Sequence, residues 1–530
     1  MSTSTDTQPR RSLTMTTVQG VKWSTAATIL TAIMQVGYTA VMARLLSPAA
    51  FGVVALANVV LRFGGYFAQM GMEQAIIQKQ DLTKEDIRAA FTASVALGIV
   101  FGGLLILLAP LSIYVFHEPE VVPVAQVLAF SLLLTGLSAT ALSLLRRTMQ
   151  FRTLALVEVS SYVVSYGGVG VTMALSGYGV WSLVAASVAQ GLLVGLLAYL
   201  VTRHSVLPLL SWEHYRPLWH YGSRISLISF LEFIGSSLDT LIIGRVLGTA
   251  MLGIYNRAWM LVALPMYMLT TSVSKVIFPA FSQVQADQAR MRNVYLSSVT
   301  LVAALILPTA AGMLVAAPEL VYSLLGPKWD ASIPLLRVMS FTSGLMLITM
   351  FGGIVSDARA RLREKTIIIL QYLLVLPVLF WLLHGWGLIG YAFALNIGAL
   401  LYAGLFMRLL HHDLDISYGR LLSLYVPGIF NAAVVAMVFA GVRLGLAPLH
   451  LPPVVALIIL LLVGALVLGT LILLVPLPGL RRELCAFLDR LHPQSHSGIL
   501  GRLLARYVRF LNPSVYGPEA HFSAANPVLP

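Results

Sequence analysis

Apolar positions divide this chain into long uninterrupted runs separated by short polar breaks. Fourteen runs, at 22–45, 49–72, 88–115, 121–145, 153–175, 179–201, 222–246, 251–275, 294–317, 331–356, 365–383, 386–409, 421–442 and 453–476, are each long enough for a helix to cross a bilayer. A membrane barrel would instead show alternating segments of about ten residues. The pattern therefore predicts an all-α polytopic membrane protein with about 14 transmembrane helices. Composition agrees: 58% of residues are hydrophobic, 10% are charged, and the mean hydropathy is +0.86.

The order of the runs repeats. Ala43–Gly52 reads ARLLSPAAFG and Gly244–Gly253 reads GRVLGTAMLG, so that Arg44, Leu46, Ala49 and Gly52 meet Arg245, Leu247, Ala250 and Gly253 at a constant offset of 201. Ala109–Tyr114 meets Ala317–Tyr322 at 208, Phe151-Arg152 meets Leu362-Arg363 at 211, and Gly177-Tyr178-Gly179 meets Gly385-Trp386-Gly387 at 208. One unit of six spans is used twice, head to tail, and an even number of spans makes the repeat parallel. The expected organisation is a disordered cytoplasmic tail at 1–20, a first lobe at 21–201, an interfacial linker at 202–221, a second lobe at 222–410, two further spans within 411–478, and a cytoplasmic tail at 479–530.

Charge orients the spans. Alternate connections, counted from the N-terminal tail, carry 27 Lys and Arg, whereas the opposite set holds only Arg44, Arg245, Lys328 and Arg443. The basic side is expected to be cytoplasmic, with both termini there, in the cytoplasmic (inner) membrane. The net charge of +13 then reads as loops lying against anionic membrane lipid rather than as a nucleic-acid surface. The linker, with Trp212, His214, Tyr215, Arg216, Trp219 and His220, is expected along the inner surface. In the C-terminal tail, Leu500, Leu503, Leu504, Tyr507, Val508 and Leu511 share one helical face and Arg502, Arg506 and Arg509 another, which predicts a basic amphipathic helix. No cleavable signal is expected, since the first apolar run is too long. The outer connections are too short to fold as an external domain, and no nucleophile elbow, P-loop or paired catalytic acids are present, which argues against an enzyme. The single Cys485 excludes a disulfide framework, and the eleven histidines, including His411-His412, show no metal spacing.

Chemistry must then come from polar residues inside the spans, where an exposed charge is costly. Asn58, Arg62, Tyr66, Gln69 and Glu73 fall within about 100° on one helix, and Ser229, Glu232, Ser236 and Asp239 within about 80° on another. Thr28, Thr31, Gln35, Tyr38 and Thr39 in the first span, and Asn256, Arg257, Tyr267 and Ser274 in the eighth, would line the same cavity. Arg62 and Arg257 break the repeat, with Ala263 and Leu56 at the matching positions. Arg62, Arg257 and Arg337 either bind an anionic substrate or form interhelical pairs. An arginine fork suits phosphate. Glu232 and Asp239 either neutralise these arginines or take up H⁺ or Na⁺ as a coupling ion. Arg44 and Arg245 either anchor the outer interface or touch substrate. Pro265, Pro308, Pro334 and Pro377 are expected to bend spans, and Gly98 with Gly102 to let helices approach closely.

The Lys22-Trp23 start, ARLLSPAAFG, Ile76-Ile77-Gln78, FPAFSQ at Phe278–Gln283 and LLGPKWDASIP at Leu324–Pro334 together resemble the Wzx-type polysaccharide-export flippases of the MOP exporter superfamily, in particular the colanic-acid and exopolysaccharide group. The resemblance covers roughly residues 18 to 480. It implies two six-helix lobes in a V, as in MATE-like transporters, with two added helices. It also implies alternating access for an undecaprenyl-pyrophosphate-linked oligosaccharide, working beside a polymerase and chain-length proteins. The alternative is a MATE-like antiporter expelling cationic drugs, whose cavity should be dominated by carboxylates.

Overall fold

A computed structural model describes residues 13–69, 81–209, 233–263, 287–359 and 361–474, with short pieces at 76–77, 265–266, 476–477 and 480–481. These residues are almost entirely helical, and no strand occurs among them. In order they form α1 (Leu13–Leu45), α2 (Pro48–Gln69), α3 (Lys84–Leu108), α4 (Ser112–Phe116), α5 (Val121–Arg147), α6 (Phe151–Tyr162), α7 (Val171–Leu175) and α8 (Val180–Thr202). The helical segment Phe233–Ala263 follows. Then come α9 (Gln288–Val315), α10 (Ala317–Leu324), α11 (Ser332–Ala358), α12 (Leu362–Leu383), α13 (Gly387–Leu414), α14 (Tyr418–Ser423), α15 (Val426–Leu446) and α16 (Pro453–Gly469).

Twelve stretches among the described residues are long and apolar enough to cross a membrane. Two of them, Phe233–Ala263 and Arg363–Leu414, take in parts of two expected spans each. Glu73, Ser229, Glu232, Tyr267, Ser274, most of the 202–221 linker and the 500–511 amphipathic helix lie outside the described residues.

The chain forms two compact units. In the first (Met1–Leu264, Leu320–Leu335 and Tyr372–Ala394), α3 packs on α5, α5 on α2 and α8, and α1 on α6. The expected glycine pair sets the α3–α5 approach: a Cβ on Gly98 would stand 2.8 Å from the Leu132 carbonyl oxygen, and one on Gly102 3.2 Å from that of Ala129. Gly136 returns the contact against Ser94, so backbones touch from both sides. The α6–α7 span is interrupted by a π-helical stretch, Val163–Gly170, for which Gly167, Gly168 and Gly170 lower the steric cost.

In the second unit α9 packs on α15 and α15 on α16. Pro308 lies inside α9 and Pro377 inside α12, as expected of bending positions. Pro334 differs. It occupies the first turn of α11, where its missing N–H would have no helical acceptor, so it starts a helix rather than bending one. Arg359 (3.2 Å) and Arg361 (3.1 Å) share the buried carboxylate of Asp413, joining the connection before α12 to the end of α13. Asp413 holds the Arg361 guanidinium above its usual pKa.

Candidate functional site: a reciprocal clasp over unpaired donors

The two copies of the repeated string meet each other within the first unit. A Cβ on Gly52 would fall 1.9 Å from the Thr249 carbonyl oxygen, and one on Gly253 would fall 1.9 Å from that of Pro48. Thr249 and Pro48 are themselves 201 residues apart, so one contact is the image of the other. Only a hydrogen fits at either position. Gly248, at the position matching Ser47, takes φ +81 and breaks the segment Phe233–Ala263 where α1 gives way to α2 in the first copy.

Each string is also gripped by the turn from the opposite half of the chain. Lys328 Nζ donates to the carbonyls of Arg44 and Leu46, at 2.7 Å each, Trp329 Nε1 donates to Ala43 at 2.9 Å, and Arg44 reaches the Ser323 carbonyl at 2.6 Å. Trp329 is fully buried and packs edge-on against Phe51. On the other side, Arg245 Nη1 donates to His117 Nε2 at 2.8 Å and the Thr249 hydroxyl to Glu118 Oε1 at 3.2 Å. Arg44 and Arg245 are thus both bonded at span ends. In the second unit, Arg443 is held by Glu319 at 2.8 Å. All four cations of the sparse side thus bond across to another segment of the chain.

Below the clasp the bonding changes. Arg257 stands four residues past Gly253, about 6 Å along the helix. Its guanidinium lies over the Phe51 ring, 4.4 Å from the centroid. Among the described residues its polar contact is to Met260 Sδ at 3.6 Å, an atom that also receives the Thr39 hydroxyl at 3.6 Å. Three buried polar atoms here have no hydrogen-bond acceptor or donor opposite them among the described residues: Arg257 Nε, Asn256 Nδ2 and the Tyr38 hydroxyl. All three can donate. Tyr38 abuts Gly170 of the π stretch and packs on Tyr166 at 4.8 Å, and Tyr166 stacks on Tyr162 at 4.5 Å. Tyr162, Tyr166 and Phe51 were not singled out in the sequence. The i, i+4 tyrosines beside a glycine cluster were the available signal.

The remaining candidates are spread out. Asn58 is half-buried on α2, and Arg62, one turn further, is exposed with no bonding partner among the described residues. Tyr66 and Gln69 continue the same helix toward its end. Arg337 is exposed on α11 and belongs to the second unit. Asp239 meets neither Arg257 nor Arg62. Its carboxylate accepts from the Tyr255 hydroxyl and from the Thr240 N–H at 2.6 Å, so the expectation that it neutralises a cavity arginine does not hold. Tyr255 sits 16 residues along the same segment, back across the Gly248 break, which makes it the nearer partner.

A family model described as polysaccharide biosynthesis protein matches residues 41–334. Among curated proteins, the lipopolysaccharide biosynthesis protein WzxC of Escherichia coli (strain K12) is 24% identical over 66% of this chain and 71% of its own. The teichuronic acid biosynthesis protein TuaB of Bacillus subtilis (strain 168) is 24% identical over 66% and 73%. The succinoglycan biosynthesis transport protein ExoT of Rhizobium meliloti (strain 1021) is 26% identical over 62% and 67%. Among solved structures, the lipid II flippase MurJ in an inward closed conformation aligns with a TM-score of 0.66 at 14% identity, covering 88% of this chain and 99% of its own. An inward-facing MATE-family multidrug transporter aligns at 0.59 and 15% identity, covering 72% and 94%. These likenesses place the chain in the same fold.

Proposed function

The chain belongs to the polysaccharide biosynthesis protein family, and from that premise we propose that it carries a lipid-linked oligosaccharide across the membrane. The substrate is an undecaprenyl-pyrophosphate-linked oligosaccharide, flipped from the inner to the outer leaflet of the cytoplasmic membrane by alternating access. The relatives are named for the synthesis or transport of cell-surface polysaccharides, and MurJ is named for flipping lipid II. The observation that carries the reading is the set of unpaired donors on Arg257, Asn256 and Tyr38, a site built to receive oxygen atoms and negative charge. A cationic drug would meet repulsion there.

In this reading Arg257 takes the pyrophosphate beneath the clasp. Arg62, 11 residues past Phe51 on α2 and so about 16 Å deeper by helical rise, receives it on entry. The polyprenyl tail stays in lipid, because exposing the polar head to hydrocarbon costs several kcal/mol for each unpaired group. The layout of two parallel six-helix lobes with two added spans, and the cytoplasmic placement of both termini, belong to the same proposal. So do coupling through Glu232 or Asp239 and work beside a polymerase and chain-length proteins.

The test is flipping of a fluorescent undecaprenyl-pyrophosphate oligosaccharide in proteoliposomes, comparing the parent with Arg257→Gln and Arg62→Ala. Transport by the parent that falls in the folded variants supports the reading. Transport unchanged in both moves the anion site elsewhere. A parent that moves no lipid-linked sugar but does exchange a cationic dye for H⁺ or Na⁺ would replace the flippase by the antiporter.

A further inference from the structure

The two halves of the clasp are held by different chemistry. On the Arg44 side every donor, from Lys328, Trp329 and Arg44, ends on a backbone carbonyl, an acceptor that binds no proton. On the Arg245 side the acceptor is a histidine ring. A guanidinium can only donate, so His117 Nε2 must present its lone pair and the ring must be neutral when the 2.8 Å bond exists. Protonation turns that nitrogen into a donor and places two cations face to face. The bond is then lost, not merely weakened.

The surroundings give the protonated ring another place to go. His117 closes α4 in a left-handed conformation, φ 57, with its N–H fixed to the Ile113 carbonyl at 2.8 Å, so the ring pivots on a set turn. The facing string, Gly244–Gly253, carries no titratable group except Arg245. The start of α5, Val121–Gln126, carries none. The acids of its own turn are Glu118, already bonded to Thr249, and Glu120. Leu325 stands at the matching position, 208 residues on, so the shared fold does not need a histidine there.

We propose that His117 is a proton-binding site that unlocks the clasp: on protonation the ring releases Arg245 and turns to the acids of its own turn. This rests on the flippase reading for its purpose, since the outer side of an energised membrane is the more acid. It supplies H⁺ as the ion sensed there. Release of Arg245 would favour opening outward, and the closed clasp would return as the proton leaves.

The experiment reads the clasp itself and needs no substrate. Cys485 is replaced by Ser, cysteines are placed at the exposed Tyr114 and Val246, and the full chain in lipid nanodiscs is spin-labelled. Dipolar coupling is followed between pH 8 and 5, the range in which histidine changes charge. In the parent the ratio of separated to close-paired labels is expected to rise about tenfold on acidification, as for loss of one charge-assisted bond. His117→Gln, which keeps an acceptor but cannot be protonated, should stay close-paired throughout. His117→Lys and Arg245→Ala, which lack the bond at every pH, should be separated and insensitive to acid. A parent that does not respond, or a His117→Gln protein that responds as the parent does, overturns the proposal. If the labels respond as expected while lipid-linked sugar is not moved, the switch stands and the flippase reading fails.

Discussion

A guanidinium lying against a phenyl ring, with one nitrogen sealed and no carboxylate opposite it among the described residues, is an expensive thing to keep inside a membrane unless a ligand completes it. Arg257 is such a group. Its replacement by Gln is expected to slow flipping about ten- to a hundredfold, the loss of one or two charge-assisted bonds worth about 1.5–3 kcal/mol, with little change in thermal stability. Arg257→Lys should recover only part of this, because an ammonium cannot present two parallel donors. Initial rates in proteoliposomes, read beside the melting curve of each variant, separate a binding loss from a folding loss. At Gly52 and Gly253 the expectation is structural. An added methyl at either position meets a backbone carbonyl that cannot turn away, so each Ala variant should cost the closed clasp about 1–3 kcal/mol. The Tyr114–Val246 label pair should then lie apart even at pH 8.

At the level of elements, the turn at Pro327–Trp329 acts as a plug seated on the end of α1. Trp329 fills the seat and spends its indole N–H on Ala43. Trp329→Ala is expected to lower stability by about 3–5 kcal/mol and the melting temperature with it, by calorimetry in detergent, because it leaves both a cavity and an orphaned carbonyl. Much of this was legible in the sequence. The doubled string marked the place where α1 and Phe233–Ala263 turn, and the glycines that survive the duplication, Gly52 and Gly253, are those that touch. The partners were not legible. His117 with Arg245, and Trp329 with Ala43, join residues 128 and 286 positions apart, and the depth at which two helices cross decides such pairs. The π stretch was hidden as well, since Val163–Gly170 reads as ordinary apolar helix until Tyr162 and Tyr166 are seen stacked. Tyr255 as the partner of Asp239 was hidden too, because a tyrosine across a glycine break is invisible to a count of charges.

For the molecule as a whole, the orientation is checked with thiol reagents. Cys485 should react only when the reagent reaches the cytoplasmic side, whereas a cysteine at the exposed His450, between α15 and α16, in a Cys485→Ser chain should react from outside intact cells. Reaction of Cys485 from outside would invert the proposed topology and with it the acid side of the clasp. The paired glycine contacts carry one more implication. Gly52 on Thr249 and Gly253 on Pro48 are two copies of one touch, disposed as in an isologous dimer although they belong to a single chain. Neither can part while its twin holds, so the contact yields in one step rather than by degrees. The chain thereby gains, without a second subunit, an opening in which two mirrored contacts part together.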